Sequence, residues 1–558
     1  MRLLPSALLL CLLALPLAAQ SAAAPEVKER RLPNGIRVLL VERPGVPAFH
    51  ATLVFRGGRT EEPSALVGAT DLLARALYGH TWPEDVAEAP SGPSALDALL
   101  KREEGLLEAL RLARLQAKTG AAASDVPALE AALAALQPQL IALRTPEPLA
   151  DLYARAGGKQ SAEAGADALW ADTELPAADF GLWCHTEAQR LARLQLSRFS
   201  EARTALLAEL QGGAGTDPGL ALLRGAALPG HPYGRNLADH LAGIEAIRWS
   251  DLRAYARAHC RPDRLVILLV GGLTLDAALP ILTRTLGALP VPEAPDDLVL
   301  PEIRADLGDR RVQATLGGPA RLLVGWRIPA RNHPDHLALV MAAQLLGGGR
   351  TSRLATRLVQ QKGLASRVEL RLDVPGARQP GLLVIELWPA EGHSLAELES
   401  ALHSEILRFQ QEAIPAEAWQ RALAEMDTRR LLAETSPAGL AHALGQAWVE
   451  TGDGQAWFAE GERLRRLQPE AVQAATQTWL APSHRTTTLL EPSLLESQDP
   501  LDLELAQTLK ALAARRIEDP GQRERMVAEG LRQLHMLPPE ERRHTLKLLQ
   551  AQVGTEGK

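Results

Sequence analysis

The sequence predicts an α+β protein that carries an internal duplication. A first series of strands and helices begins near residue 28, and a second series starts again with a strand over residues 321–328 and a helix over residues 334–346. Between the two series, residues 291–301 are rich in proline and acidic residues, as segments between domains often are. A series that starts again in this way indicates an internal duplication of structural units of roughly 200 residues.

The first unit opens with strands. Residues 31–41 place an Asn-Gly pair directly before a run of β-branched residues and leucine, which predicts a β-hairpin. A further strand is predicted over residues 51–55 and a helix over residues 68–78. Near the end of this unit, residues 265–270 are all apolar and predict another strand.

Residues 95–143 predict a helical hairpin that is inserted in the first unit. Leucines recur there at alternating spacings of three and four on both sides of a small polar turn at residues 120–125. Such a hairpin usually packs against its own protein, and the alternative is an arm that docks another chain. After the second unit, residues 493–558 consist of short polar helical stretches separated by proline-containing turns, which predicts a helical tail.

The N-terminus predicts secretion. Residues 1–19 combine a basic start, a short apolar run and small residues at the end, which is the pattern of a secretory signal peptide. The run is short for a transmembrane helix, so we expect a periplasmic or secreted chain with no transmembrane segment after cleavage. Cys11 allows a lipoprotein as the alternative, but Leu10 stands where a lipobox has a small residue.

The composition argues against a nucleic-acid partner and against a zinc site built from cysteine. The formal net charge of −7 is small for 558 residues, and the sequence contains no basic stripe. Cleavage of the signal peptide leaves Cys184 and Cys260, too few to form a cysteine zinc site. These two residues either pair in an oxidising compartment or lie buried as thiols, and their spacing does not decide between the two.

Three blocks of the sequence carry motifs that occur together in one enzyme family. These are, in order, Leu32-Pro33-Asn34-Gly35 with Arg56-Gly57-Gly58-Arg59, Glu61-Glu62 and Gly68-Ala69-Thr70-Asp71; then His231-Pro232-Tyr233-Gly234-Arg235 with Arg261-Pro262-Asp263; then Gly325-Trp326-Arg327-Ile328-Pro329-Ala330 with Gly347-Gly348-Gly349-Arg350-Thr351-Ser352-Arg353-Leu354. Over residues 28–490 the chain resembles the insulinase/pitrilysin (M16) metallopeptidase family.

The resemblance implies a fold of two homologous M16-type domains, each a mainly antiparallel sheet covered by helices. On this basis residues 26–290 form an N-terminal-type domain that contains the hairpin, and residues 302–492 form a C-terminal-type domain. In the family the two halves enclose a chamber that holds extended peptides. Some members work as pairs in which one chain carries zinc and the other is inactive.

The family's zinc motif is degenerate in this chain. In the His-x-x-Glu-His motif, two His residues one helical turn apart bind Zn²⁺, and the Glu activates the metal-bound water. The resemblance places Asp71 at the first His, Ala74 at the Glu and Arg75 at the second His. A distant Glu supplies the third ligand in the family, and Glu209 is its counterpart here. We therefore expect no zinc, which active members carry, and no general base on this helix.

Arg75 places a permanent cation where a dication would bind. We expect it to form a buried salt bridge with Glu209 inside the former site, because a buried Arg needs a partner.

Other candidate metal ligands lack a second His at ligand spacing or form only a marginal pair. His80 follows the motif helix, and His185 with Glu187 forms a local His-x-Glu. His333 and His336 stand three residues apart at a predicted helix start. For each of these residues we favour a structural or exposed histidine over a metal ligand.

The positions that bind substrate in the family are also altered. Residues 157–163 lack the Asn that relatives carry in the strand lining the substrate, and Ser366 stands where many relatives have Tyr. Arg378 falls near the position of an Arg that grips the substrate backbone in active pairs. It is a weak candidate for substrate binding, and the alternative is an ordinary surface Arg.

These features predict a non-catalytic subunit that completes the peptide-binding chamber of a zinc-bearing partner, an active M16 homologue with an intact His-x-x-Glu-His motif. One alternative is an active metalloendopeptidase with an unconventional site around Asp71, Glu209 and a nearby His. The other is a stand-alone periplasmic peptide-binding protein.

Overall fold

The structure is a computed structural model that describes most of the chain. The described residues are 25–78, 95–118, 126–143, 149–213, 217–293, 300–303, 308–492, 500–517, 519–535 and 537–555. The predicted signal peptide, His80 and part of the predicted linker therefore lie outside the described residues.

The first half of the chain forms one sheet with helices. Its elements are β1 (Lys28–Arg31), β2 (Arg37–Glu42), β3 (Ala48–Arg56), α1 (Ala69–Ala76), α2 (Ala95–Lys118), α3 (Val126–Leu143), α4 (Leu149–Arg155), β4 (Lys159–Ala164), β5 (Ala168–Pro176), α5 (Phe180–Arg193), α6 (Phe199–Gln211), α7 (Pro218–Ala227), α8 (Leu241–Ala246), α9 (Trp249–His259), β6 (Leu265–Gly271) and α10 (Leu275–Arg284).

The second half forms another sheet with helices, followed by the tail. Its elements are β7 (Arg310–Leu316), β8 (Arg321–Ile328), α11 (His336–Gly347), a short helical segment Ala355–Gln361, β9 (Ala365–Val374), β10 (Gly381–Pro389), α12 (Leu395–Gln411), α13 (Ala416–Thr435), α14 (Pro437–Thr451), α15 (Ala456–Arg466), α16 (Pro469–Trp479) and β11 (Arg485–Pro492); the tail contains α17 (Pro500–Arg516), α18 (Pro520–His535) and α19 (Pro539–Thr555).

The two sheets have the same topology. The strand order is β1-β2-β6-β3-β5-β4 in the first sheet and β7-β11-β8-β10-β9 in the second. Apart from the additional β1, each strand has a counterpart. Each sheet contains one parallel pair, β2–β6 and β7–β11, and its other pairs are antiparallel. The predicted fold class and the internal duplication are confirmed.

Each half contributes a helix that covers the sheet of the other half. In β3, successive side chains point to opposite faces, so Leu53 joins the core of its own half while Val54 packs with α14. Leu444 and Trp448 of α14 belong to this second cluster. In the same way Leu223 of α7 packs against strands of the second sheet. Both sheets are therefore covered on two faces only when the halves are together.

The predicted helical hairpin is present, and so is the helical tail. Leu100 of α2 and Leu136 and Leu140 of α3 belong to the core of the first half. By length and composition α3 is apolar enough to cross a membrane, but one helix of this kind is weak evidence for a membrane span. The three tail helices pack around a small core of their own, to which Leu505 and Val527 belong.

Cys184 and Cys260 are free thiols in this structure, and both are buried. Burial raises the pKa of Cys260 to about 12 and raises the pKa of Cys184 still further. The structure therefore favours two buried thiols over a disulfide.

Gly445 of α14 provides a test of the packing between the halves. A Cβ atom at Gly445 would lie 2.7 Å from the indole ring of Trp170 in β5. Because the ring is large and buried, we expect Gly445→Ala to lower stability by about 1–3 kcal/mol. Thermal unfolding followed by calorimetry would show this as a lower midpoint.

The matched control is Gly105→Ala. Gly105 lies within helix α2, is exposed, and would place its new Cβ in open space. Alanine is favoured over glycine inside a helix by about 1 kcal/mol, so this variant should keep or raise the midpoint. Equal destabilisation in both variants would contradict the packing argument.

Candidate functional site

Helix α1, which carries the degenerate motif, is fixed at its N-terminus by Glu62. The Glu62 carboxylate accepts hydrogen bonds from the backbone N–H groups of Gly68 (3.0 Å) and Thr70 (2.7 Å). These are among the donors that a helix start leaves without partners. Burial raises the pKa of Glu62 to about 7.

The carboxylate of Asp71, at the first His position, is bound by an arginine. Asp71 is 8% exposed and accepts hydrogen bonds from Nε and Nη2 of Arg59 at 2.7 and 2.6 Å. Two parallel bonds of this kind are among the stronger charge-assisted contacts in proteins. A metal ion would therefore have to displace Arg59 in order to use Asp71 as a ligand.

The predicted salt bridge between Arg75 and Glu209 is present. Arg75 Nη2 lies 2.6 Å from Glu209 Oε2, so the structure brings the second His position and the third-ligand position together. Ala74, at the position of the general base, contributes only a methyl group to the surroundings.

The expectation that this pair is buried was wrong. The two side chains are 35% and 38% exposed, because they meet where α1 and α6 open towards solvent. A pair at this exposure adds about 1 kcal/mol or less to stability. At this exposure water solvates the Arg75 guanidinium group. Its charge therefore does not depend on Glu209 for solvation.

The described residues contain no group of three or more His, Cys, Asp or Glu side chains placed to hold a metal ion. His336 is 1% exposed, and its Nε2 atom lies 2.7 Å from Asp373 Oδ1. His185 contacts Gln189 at the surface, while Glu187 is fully buried against Tyr153 and Arg190.

Arg378 binds the first half of the chain. Its guanidinium Nη2 donates to Glu61 Oε1 at 2.7 Å, and its backbone N–H donates to Asp167 Oδ2 at 3.2 Å. Glu61 is also bonded to Arg264. The Arg378 side chain is only 15% exposed, so it is neither an ordinary surface Arg nor free to grip a substrate in this conformation.

The loop that carries Arg378 is held by two further contacts. The Tyr233 hydroxyl donates to Asp167 at 2.6 Å, and the backbone N–H of Gln379 donates to the Tyr233 oxygen at 3.2 Å. A Cβ atom at Gly376 would lie 2.3 Å from the Asp167 carboxylate, so only glycine permits this approach.

Sequence patterns assigned no role to Glu61, Asp167 or Tyr233. Glu61 and Tyr233 do lie within the motif blocks, which was the available signal. Asp167 has no local motif to mark it.

One edge of each sheet is formed by a strand that pairs with only one other strand among those that the structure describes. β4 is at the edge of the first sheet and pairs with β5, and β9 is at the edge of the second and pairs with β10. An edge strand presents unpaired backbone N–H and C=O groups to which an extended chain can add. β4 is the strand that, by the family resemblance, is expected to line the bound substrate.

Two equivalent sheets, a helix at the zinc-motif position and a free edge strand define the class of two-domain peptidase-like proteins. A family model described as the peptidase M16 inactive domain matches residues 247–426. An uncharacterized zinc protease of Mycobacterium leprae is 27% identical over 157 residues, which is 27% of this chain and 34% of that protein. The chain is therefore similar to M16 peptidases, in sequence over part of its length and in fold over most of it. The matched segments span about a third or less of the length of the curated relatives.

Solved structures show the same fold over most of the chain. A protease from Helicobacter pylori has a TM-score of 0.66 at 14% identity, covering 84% of this chain and 100% of that one. An M16 inactive-domain protein from Pseudomonas fluorescens has a TM-score of 0.63 at 18% identity, covering 84% of this chain and 98% of that one.

The contact between Glu61 and Arg378 can be tested by substitution. Glu61→Gln leaves the guanidinium groups of Arg264 and Arg378 facing each other with no carboxylate between them, so we expect a loss of about 3–5 kcal/mol of stability. Arg378→Gln leaves Glu61 paired with Arg264, so this variant should lose only about 1.5–3 kcal/mol of stability. Urea unfolding of both single variants and the double variant measures these effects. Strictly additive losses would show that the two side chains do not interact.

The placement of Glu209 can be tested by restoring the motif. The combined variant Asp71→His, Ala74→Glu and Arg75→His should bind about one zinc ion per chain, since two His residues and Glu209 would then complete a three-ligand site. Adding Glu209→Ala should abolish this binding while leaving circular dichroism unchanged. Zinc binding that survives the fourth substitution, or a folded triple variant that binds none, would show that these positions do not converge.

Proposed function

We propose that this chain is a non-catalytic M16 subunit that holds extended peptides and completes the chamber of a zinc-bearing partner. The observation that carries the proposal is the Arg75–Glu209 ion pair at 2.6 Å. It occupies the positions where the family holds zinc, and the neighbouring Ala74 offers no base. A peptidase of this type needs both the metal-bound water and the base that activates it.

The edge strand β4 supports the peptide-binding part of the proposal. Backbone hydrogen bonds to an edge strand provide affinity without strict dependence on sequence, which suits a chamber that receives unfolded peptides. Ser161 and Glu163 are exposed on this strand, so polar side chains stand beside the backbone groups that would pair.

Because residues 1–19 predict a signal peptide, we expect this role in the periplasm or outside the cell. The partner we expect is an M16 chain with an intact His-x-x-Glu-His motif, made by the same organism and exported to the same compartment. Peptides and unfolded proteins are the expected ligands.

An active peptidase with a metal bound by Asp71 and Glu209 is an alternative interpretation of the same site, and the structure supports it less well than the non-catalytic subunit. Each of these carboxylates is bonded to an arginine, Asp71 to Arg59 and Glu209 to Arg75. Both ion pairs would have to break before a metal could bind.

Reconstitution with the expected partner tests the proposed function. The mature chain alone should bind a fluorescent unfolded peptide without cleaving it, and the partner alone should cleave slowly, because its chamber lacks one wall. Mixing the two chains should raise cleavage by at least about tenfold, a gain of about 1.4 kcal/mol in transition-state stabilisation.

The control replaces the Glu of the partner's motif with Gln, which should abolish cleavage by the mixture. Chelator-sensitive cleavage by the mature chain alone would overturn the proposal in favour of an active peptidase. Peptide binding with no effect on any partner would instead favour a stand-alone peptide-binding protein.

A further inference from the structure

A small cavity lies where the two halves meet, beside the start of α1. Its volume is about 50 Å³. A cavity needs about 10–15 Å³ by the same measure to hold one water molecule, so this one has room for a carboxylate-sized group. Arg59, Arg224, Arg235 and Tyr233 line it from the first half, and Pro375 lines it from the second.

Arg224 is the distinctive residue of this cavity. Among the residues that the structure describes, none forms a hydrogen bond or ion pair with its side chain, and its Nε atom is buried without a partner. Asp217, a nearby carboxylate, is already bonded to both terminal nitrogens of Arg321 at 3.1 Å. Burial, together with the positive charge of Arg59, lowers the pKa of Arg224.

The other charged groups leave the cavity with an excess of positive charge. Arg235 donates to the backbone carbonyl of Glu62 at 2.9 Å and forms no ion pair within the described part of the chain. Arg59 is paired with Asp71. The carboxyl of Glu62 faces the helix start, where its two oxygens accept hydrogen bonds from the backbone N–H groups of Gly68 and Thr70, and burial raises its pKa to about 7.

Arg224 is half-buried, and its Nε–H lies buried without a partner. A buried N–H group without a partner is costly, so this side chain favours an acceptor. Arginine binds carboxylates through two parallel hydrogen bonds more readily than it binds neutral acceptors. The walls also include Val67 and Leu237, and apolar walls suit a carboxylate that is attached to an organic chain better than a free inorganic ion.

We propose that this cavity is a binding site for a carboxylate group of a peptide, with Arg224 as its principal ligand and Arg59 and Arg235 as supporting cations. The site lies next to the degenerate motif, so it would anchor one acidic or C-terminal group of a peptide held in the chamber. This inference rests on the proposed peptide-binding function.

The test compares matched fluorescent peptides on the mature full-length chain by anisotropy. One peptide has a free C-terminal carboxylate, the second is amidated, and the third is amidated but carries one Glu. The wild-type chain should prefer a carboxylate-bearing peptide over the neutral amide by about tenfold, the size expected for a hydrogen bond to a charged group. The free-acid and Glu peptides show which source of carboxylate the site takes.

Arg224→Gln should reduce that preference to less than about twofold, and the control Arg466→Gln, whose parent side chain is 80% exposed, should keep it. The midpoint of thermal unfolding shows whether the Arg224 variant is folded. The midpoint should not fall, since the substitution removes a half-buried charge that has no ion-pair partner among the described residues.

The outcomes separate this inference from the proposed function. Equal binding of all three peptides by the wild-type chain would overturn the carboxylate site and leave peptide binding intact. Binding of none of them would overturn the proposed function itself. A preference that survives Arg224→Gln would move the site away from this cavity.

Discussion

The exchange of helices between the two halves is the constraint on which the rest of the structure depends. α14 covers one face of the first sheet, and α7 covers one face of the second. Each sheet has apolar side chains on both faces. Separation of the halves would therefore expose apolar surface of both sheets to water, at a free-energy cost of roughly 25 cal/mol for each Å². The exchange also brings the loop around Arg378 against Glu61 and Asp167, and so determines what lies at the inner surface between the halves.

In the proposed function, arginines stand at that surface where active family members hold a metal ion. Zinc would supply a concentrated positive charge and an activated water molecule, whereas guanidinium groups supply positive charge and directed N–H donors with no reactive water. Arg59 and Arg75 each hold a carboxylate, while Arg224 holds none among the described residues. An arrangement of this kind can bind and position anions, which is the role that the proposed function gives it.

Local pattern was enough to predict the strands, the inserted hairpin and the duplication, because each depends on hydrophobic periodicity and turn residues within a short window. Family motifs then located Asp71, Ala74, Arg75 and Glu209. What could not be predicted depends on contacts between distant residues. Arg378 and Glu61 are 317 positions apart, and no local signal pairs them. The exposure of the Arg75–Glu209 pair was predicted wrongly, because the burial of these side chains depends on how α1 and α6 pack together. The sequence of either helix alone does not determine that packing.

The zinc content of the purified mature chain distinguishes a subunit without a catalytic metal from an active metallopeptidase. Elemental mass spectrometry after dialysis against a weak chelator would give the number of zinc ions per chain. We expect a value near zero, because Asp71 bonded to Arg59 and Arg75 bonded to Glu209 stand at the positions that the resemblance assigns to the family's zinc ligands. A value of about one per chain, the stoichiometry of a catalytic zinc site, would contradict the account and show that the chain holds a metal at a site of another design.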